Sequence, residues 1–344
     1  MNYQNFNKLI SLVALFLFLG SCVAIDRDFN NSSSSVSKKS GILKNKCLNT
    51  NQPTKNAKSF VSGTLSTGAI ATGHRRVFAF DSAGIVIWQA QAPGNVHDVS
   101  ILRNGNVLIA AGGFAREISP TGKVIWEYRP ENQAGGGVFS VQRLKNGNTV
   151  VGENSTGKIL EFNSAGKVIR TIQTSWNTKN KHHQMRLVRK TASGKFLCCT
   201  SGDKLFRVFD QNGRICLSIT GKNICFKAIE LKSGNYLVSW LDEIIEYDQV
   251  GKKVWSFSRQ DIKDQHISMM TGIDELESGN IVVGTYSSYN KNRKGIAAFE
   301  ITKDKKIVWS YSKPGSDKSL MTVQKLSPSQ LEILSKTECN IPRK

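Results

Sequence analysis

The side chains best suited to chemistry in this 344-residue chain are histidines and cysteines, five of the first and seven of the second. His97, His183 and His266 stand in or beside segments that recur along the chain. A neutral imidazole is a nucleophile near pH 7, and cationic donors around it stabilise negative charge on a transferred group. The three could meet at a metal only through the fold, because they lack the close ligand spacing of a metal site, so no metal is assigned. His97 is followed by Asp98, and an inner-strand His beside an Asp equally suits a hydrogen-bonded packing residue. No GxSxG, HExxH, P-loop or dinucleotide fingerprint is present.

The elements that must position these groups repeat. One half of the repeat reads LRNGNVLI at 102–109, LKNGNTVV at 144–151, ASGKFLC at 192–198, LKSGNYLV at 231–238 and LESGNIVV at 276–283. The other reads FDSAGIVIW at 80–88, ISPTGKVIW at 118–126, FNSAGKVI at 162–169, FDQNGRIC at 209–216, YDQVGKKVW at 247–255 and ITKDKKIVW at 301–309. The second-half turns fall at Gly84, Gly122, Gly166, Gly213, Gly251 and Lys305, steps of 38, 44, 47, 38 and 54 residues. Short apolar-alternating runs separated by Gly turns read as antiparallel strands, four to a unit. A sheet of that size cannot bury both faces alone, whereas sheets stacked around an axis can. The fold class is therefore all-β, a β-propeller of four-stranded antiparallel blades, six in number with seven as the alternative. MTVQKLSPSQLEIL at 321–334 is expected to close the ring by supplying inner strands to the first blade, with Leu326 to Ser329 in the place of Leu102 to Gly105. GTLSTGAIATG at 63–73 is the segment that leaves seven open, as a strand pair of blade one.

The organisation predicted is a signal peptide at 1–21, a polar tether at 22–59, the propeller at 60–334 and a tail at 335–344. The apolar run LISLVALFLFL at 9–19 is too short to span a bilayer, which takes about 20 residues, and fits a secretory h-region. Leu19-Gly20-Ser21-Cys22 resembles the lipobox of bacterial lipoproteins, which implies cleavage before Cys22 and acylation of its sulfur. Two or more acyl chains would hold the chain on a membrane. The Ser-, Asn- and Lys-rich stretch that follows cannot bury a core and would span about 30–35 Å as a flexible coil. The chain is thus read as exported and lipid-anchored in a bacterial cell envelope. With 47 Lys and Arg against 26 Asp and Glu, its net charge of +21 suits headgroups or acidic polysaccharides outside the cell. No basic run interleaved with aromatics marks a nucleic-acid platform.

The turns DSAGIVIW and SPTGKVIW are similar to the tryptophan-docking motif of quinoprotein propellers, with one residue fewer between Asp and Gly. Together with HDVSILRNGNVLI at 97–109 they resemble more closely the blades of bacterial arylsulfotransferases and of exported PQQ-like propellers. The resemblance spans about 60–334 and is specific for fold. An arylsulfotransferase would imply a channel His as sulfuryl acceptor, for which His97 and His183 are the matching positions and Arg186 and Arg103 the distant cations. A quinoprotein would imply pyrroloquinoline quinone. Adjacent Cys198 and Cys199 resemble the vicinal pair of some quinoprotein dehydrogenases, but neighbours on a strand face opposite ways. With Cys22 lipidated, six Cys remain for disulfides. Cys47 with Cys339 would clamp the ring, by about 4–5 kcal/mol in the chain-entropy model, and Cys216 with Cys225 is a second pairing.

Aligning inner strands on their turns places His97, Phe139, Phe226, Thr271 and Met321 at one level of the channel, joined by His183 if three extra residues lie in its turn. Half of that ligand-binding set is apolar, which suits a pocket better than an active site. The reading is a surface-tethered, non-catalytic propeller that binds a ligand, an anionic polysaccharide or a protein partner through its funnel, with no cofactor expected. The alternative is an arylsulfotransferase-like or PQQ-dependent enzyme acting in the channel.

Overall fold

The structure is a computed structural model that describes residues 60–63, 68–73, 75–92, 94–262, 267–286, 295–312 and 320–337. Cys22, Cys47, His266, Cys339 and the expected leader and tether lie outside the described residues.

Six four-stranded antiparallel sheets form the blades of a propeller. Blade 2 runs outward from the axis through Val96–Ile101, Val107–Ala111, Phe114–Ile118 and Val124–Tyr128. Blade 3 follows from Val138–Arg143 to Val168–Gln173, blade 4 from Val188–Lys190 to Ile215–Thr220 and blade 5 from Cys225–Glu230 to Lys253–Ser258. Blade 1 holds Ala69–Gly73, Arg76–Phe80 and Val86–Gln91, and its innermost strand is Val323–Lys325 from the far end of the chain. Blade 6 holds Met269–Glu275, Ile281–Tyr286, Ala298–Ile301 and Ile307–Ser312, and Phe60–Gly63 adds a fifth strand to its outer edge. Six blades are therefore correct and seven are not. The 63–73 segment that left the count open straddles two blades, ending the edge strand of blade 6 and beginning blade 1. Both termini thus cross the same seam.

One correction concerns the C-terminus. Only Val323–Lys325 is strand there, and Pro328–Lys336 is an α-helix. Ser327 caps it, accepting from the Gln330 amide while the Gln330 side chain accepts from the Ser327 amide, and Pro328 fits the first helical turn. That capping box overrides the turn-like look of Leu326 to Ser329. Leu326 and Leu334 bury against Trp88, Ile101 and Val107, so the helix seals the seam between blades 1 and 2.

The repeated letters have structural causes. In four blades an Asn follows the inner-turn Gly and donates its side-chain amide to a Glu of the third strand: Asn106 to Glu117 at 2.6 Å, Asn148 to Glu161 at 2.9 Å, Asn235 to Glu246 at 2.7 Å and Asn280 to Glu300 at 2.6 Å. Three of these carboxylates also bind a cation of the next blade, Arg143, Lys190 and Lys303 in turn. In the outer turns Lys305 keeps the left-handed backbone, φ 65°, that Gly adopts in the other five. The indole of Trp88 donates to the Pro120 carbonyl and that of Trp255 to the Lys303 carbonyl, both at 2.8 Å, so each docks its blade on the turn of the next. Trp88→Phe keeps the packed ring and loses that bond, so chemical denaturation should show about 1 kcal/mol lost.

Candidate functional site

Inner strands line the channel, and the residue eight positions before each inner-turn Gly steps out of the strand ladder. It is a bulge at His97, Phe139, Phe226 and Thr271. The same count from Gly194 gives Arg186 in blade 4. Those five and Met321 of blade 1 surround the narrow part of the channel, with Leu187 beside them. The predicted level is thus assembled, with one change: Arg186, not His183, is the blade 4 member. The turn of blade 4 has no extra residues, and the surplus lies ahead of the strand. There Lys181–His183 makes a single 3-10 turn, capped by the Asn180 side chain on the His182 amide.

That displaced turn roofs a funnel. A cavity of about 390 Å³ opens above the narrow level, lined by His97, His182, His183, Arg186, Phe226 and Met321. Ile224, Leu241 and Met269 make its wall apolar, and Tyr286 stands on it too. Sequence reasoning passed over His182, whose ring meets Phe139 edge-on at 5.1 Å and His97 at 6.0 Å. Its only signal was the doubled His. Arg103, by contrast, lies exposed in the turn at the other end of the blade 2 inner strand. It is remote from His97.

Arg186 sets the electrostatics. It is 5% exposed, and its guanidinium lies over the rings of Phe139 and Phe226, at 5.0 and 5.5 Å from their centroids. Burial pushes its pKa down to about 10, which still leaves it charged at neutral pH. Burial first, then Arg186, holds all three imidazoles below their usual value, His97 well below and His182 at about 4. They are neutral at pH 7. His97 is 8% exposed, its Nδ1 has no hydrogen-bond partner and its ring packs 3.9 Å from that of Phe139. Asp98 does not serve it. That carboxylate is fully buried and takes two bonds from Arg189, at 2.6 and 2.7 Å, and one from the Val141 amide at 3.0 Å.

Depressed His pKa values have a definite consequence for stability. Below pH 6.5 the unfolded chain takes up protons that His97, His182 and His183 resist in the fold, so stability falls as pH drops from about 6.5 toward 4. The charged or titratable groups that act on His97 are Arg186 and His182, while the adjacent Asp98 is bound by Arg189. Melting followed by circular dichroism at pH 6.5 and 5.0 should show a lower midpoint at pH 5.0, and a smaller difference in His97→Gln.

Among the described residues no three His, Cys, Asp or Glu side chains gather as a metal site. No helix there is long and apolar enough to cross a membrane.

Several solved structures share the architecture. A protein of unknown function from Bacteroides caccae is similar with a TM-score of 0.68 at 18% identity, over 75% of this chain and 97% of that one. A streptogramin B lyase aligns with a TM-score of 0.53 at 11% identity, over 73% and 87%. The WD40 propeller domain of Doa1 gives 0.52 at 12%, over 78% and 93%. At such identities the likeness is one of fold. No curated protein matches the sequence significantly. Residues 48–261 match the family model described as outer membrane protein assembly factor BamB, a PQQ-like propeller repeat, and the chain belongs to that family.

Proposed function

We propose that this chain is an exported, lipid-tethered, non-catalytic propeller of the bacterial cell envelope that binds a ligand or protein partner in its funnel. The observation that carries the reading is the cavity of about 390 Å³ at one end of the channel. It is of small-ligand size, lined where inner strands and the loops above them meet, and walled mainly by apolar side chains. Its one nucleophile of sheltered position, His97, has no base or carboxylate on its Nδ1. The family name speaks of assembly at an outer membrane, and LGSC at 19–22 with the polar stretch behind it supplies the means to reach and stay on a membrane. The cluster of three imidazoles around Arg186 favours the second reading, a sulfuryl transferase with His97 as acceptor.

One experiment addresses both tether and chemistry. The full chain and its Cys22→Ala variant are expressed in a bacterium, fractionated, and incubated with 4-nitrophenyl sulfate and a phenol. The reading expects the wild type in membranes with its mature N-terminus at Cys22, the variant released, and no nitrophenol from either. Steady nitrophenol release lost in His97→Ala would establish the transferase instead.

A further inference from the structure

Other arginines of the ring pair with carboxylates: Arg189 with Asp98, Arg143 with Glu117 and the buried Arg116 with Glu127. Arg186 does not. Among the described residues its Nε and Nη1 have no hydrogen-bond partner, and its Nη2 lies 3.4 Å from Nδ1 of His183. No carboxylate is among the described residues that line the funnel. A guanidinium that is nine-tenths buried and unpaired is costly, because its hydration is lost and nothing replaces it. It also lines the cavity, where it is a fixed positive charge with no carboxylate to answer it.

We propose that the funnel is a site for a small organic anion, whose carboxylate, sulfonate or phosphate head is held by the positive charge of Arg186 and whose apolar body lies against Ile224, Leu241 and Met269. The rings of Phe139 and Phe226 hold the guanidinium in place from behind. The neutral imidazoles of His97 and His182 stand beside the head as hydrogen-bond donors that add no second charge. The cavity volume, about 390 Å³, sets the body at about the size of a substituted aromatic ring, near the small end of ligand pockets at about 300–1,000 Å³. This inference rests on the funnel being the binding surface.

The test uses the full exported chain in detergent and follows its unfolding midpoint with benzoate, benzenesulfonate, phenyl phosphate and neutral benzamide. At least one anion should raise the midpoint at concentrations where benzamide does not, and its affinity should exceed that of benzamide by roughly tenfold or more, as a charge-assisted pair in a dry site provides. Arg186→Met should abolish that preference and, without ligand, melt higher than the wild type, since an uncompensated buried cation is gone. If the variant does not fold, the wild-type preference for anion over amide decides alone. Equal binding of benzamide and anions, or no binding of any anion, overturns the inference. A partner crosslinked from the mouth of the funnel would still uphold the binding reading in that case, so the two fail separately.

A second pair of groups is independent of the funnel. Cys199 and Cys225 are fully buried on adjoining strands of blades 4 and 5, with their sulfurs 2.7 Å apart. Cys198 packs on the opposite face of its strand, and Cys216 is exposed on the outer edge of blade 4, away from Cys225. The vicinal and the 216–225 pairings are thereby ruled out, and we infer that Cys199 and Cys225 form a disulfide on export. Two thiols lose two protons and two electrons, the S–S bond forms, and the disulfide of an envelope thiol oxidase is reduced to its dithiol. Alkylating the denatured, unreduced exported chain should label Cys198 and Cys216 but neither Cys199 nor Cys225 until reductant is added. Labelling of Cys199 and Cys225 without reductant overturns it.

Discussion

Arg189→Ala should destabilise the ring more than any other single substitution near the channel, by about 3–5 kcal/mol, the usual cost of stranding a buried charge. Asp98 is fully buried, and three inner strands converge on it: its own in blade 2, the Val141 amide in blade 3 and Arg189 in blade 4. Ser140 completes the junction, donating to the Val188 carbonyl at 2.9 Å and accepting from the Val188 amide at 2.9 Å. Nearby, burial pushes Lys227 down to about 8 and raises Asp274, so the floor of the channel is a set of charges that shield one another. Removing Arg189 leaves Asp98 with the Lys227 charge as the main compensation. The midpoint should fall by roughly 10 °C, at about 2–4 °C per kcal/mol for a domain of this size. Asp98→Asn with Arg189→Met together should recover most of the loss, because an ion pair exchanged whole for less polar groups costs little. A double variant as unstable as Arg189→Ala would show that the charges themselves hold the blades.

A chain ending at residue 319 should lose cooperative folding altogether. It lacks Val323–Lys325, the inner strand of blade 1, and with it the bonds from the Thr322 amide to Thr72 Oγ1 and from the Leu326 amide to the Gly68 carbonyl, 3.0 and 2.8 Å. It also lacks the buried Leu320, Val323, Leu326 and Leu334, which belong to the two clusters flanking blade 1. Four large apolar side chains at about 1.5–3 kcal/mol each amount to most of the 5–15 kcal/mol that holds a typical domain folded. Differential scanning calorimetry should show no sharp transition, and a peptide of residues 320–337 should restore one by adding back the strand. A sharp transition in the truncated chain would mean that the ring closes without its C-terminus.

The propeller was legible because each repeated residue answers a local demand that recurs in every blade. Gly105, at φ 82°, makes the inner turn, Asn106 reaches Glu117, and Trp88 reaches the next blade. The Glu partners escaped notice, since their pairing runs across strands and carries no fixed spacing. The C-terminal helix was missed because Leu326 to Ser329 imitates the inner turn, and only the reciprocal Ser327–Gln330 bonds decide for helix. At the site, five of the six level positions followed from counting back from the turns. The sixth failed because an insertion can sit on either side of a strand, and here it sits before it. That choice exchanged His183 for Arg186 at the narrow level and put a buried cation where a second imidazole was expected. Asp98 looked like a partner for His97 and instead binds Arg189, 91 residues away, a contact that only the closed ring creates.

The central claim is that binding takes place in the funnel and not on the sides of the ring. A photo-reactive benzoylphenylalanine in place of Tyr286, at the mouth, is compared in intact cells with the same group in place of Ile215, exposed on the outer edge of blade 4. Covalent adducts read by mass spectrometry after illumination should form at residue 286 and be absent at 215. Adducts at 215 with none at 286 would contradict the account and move the binding surface to the rim of the blades.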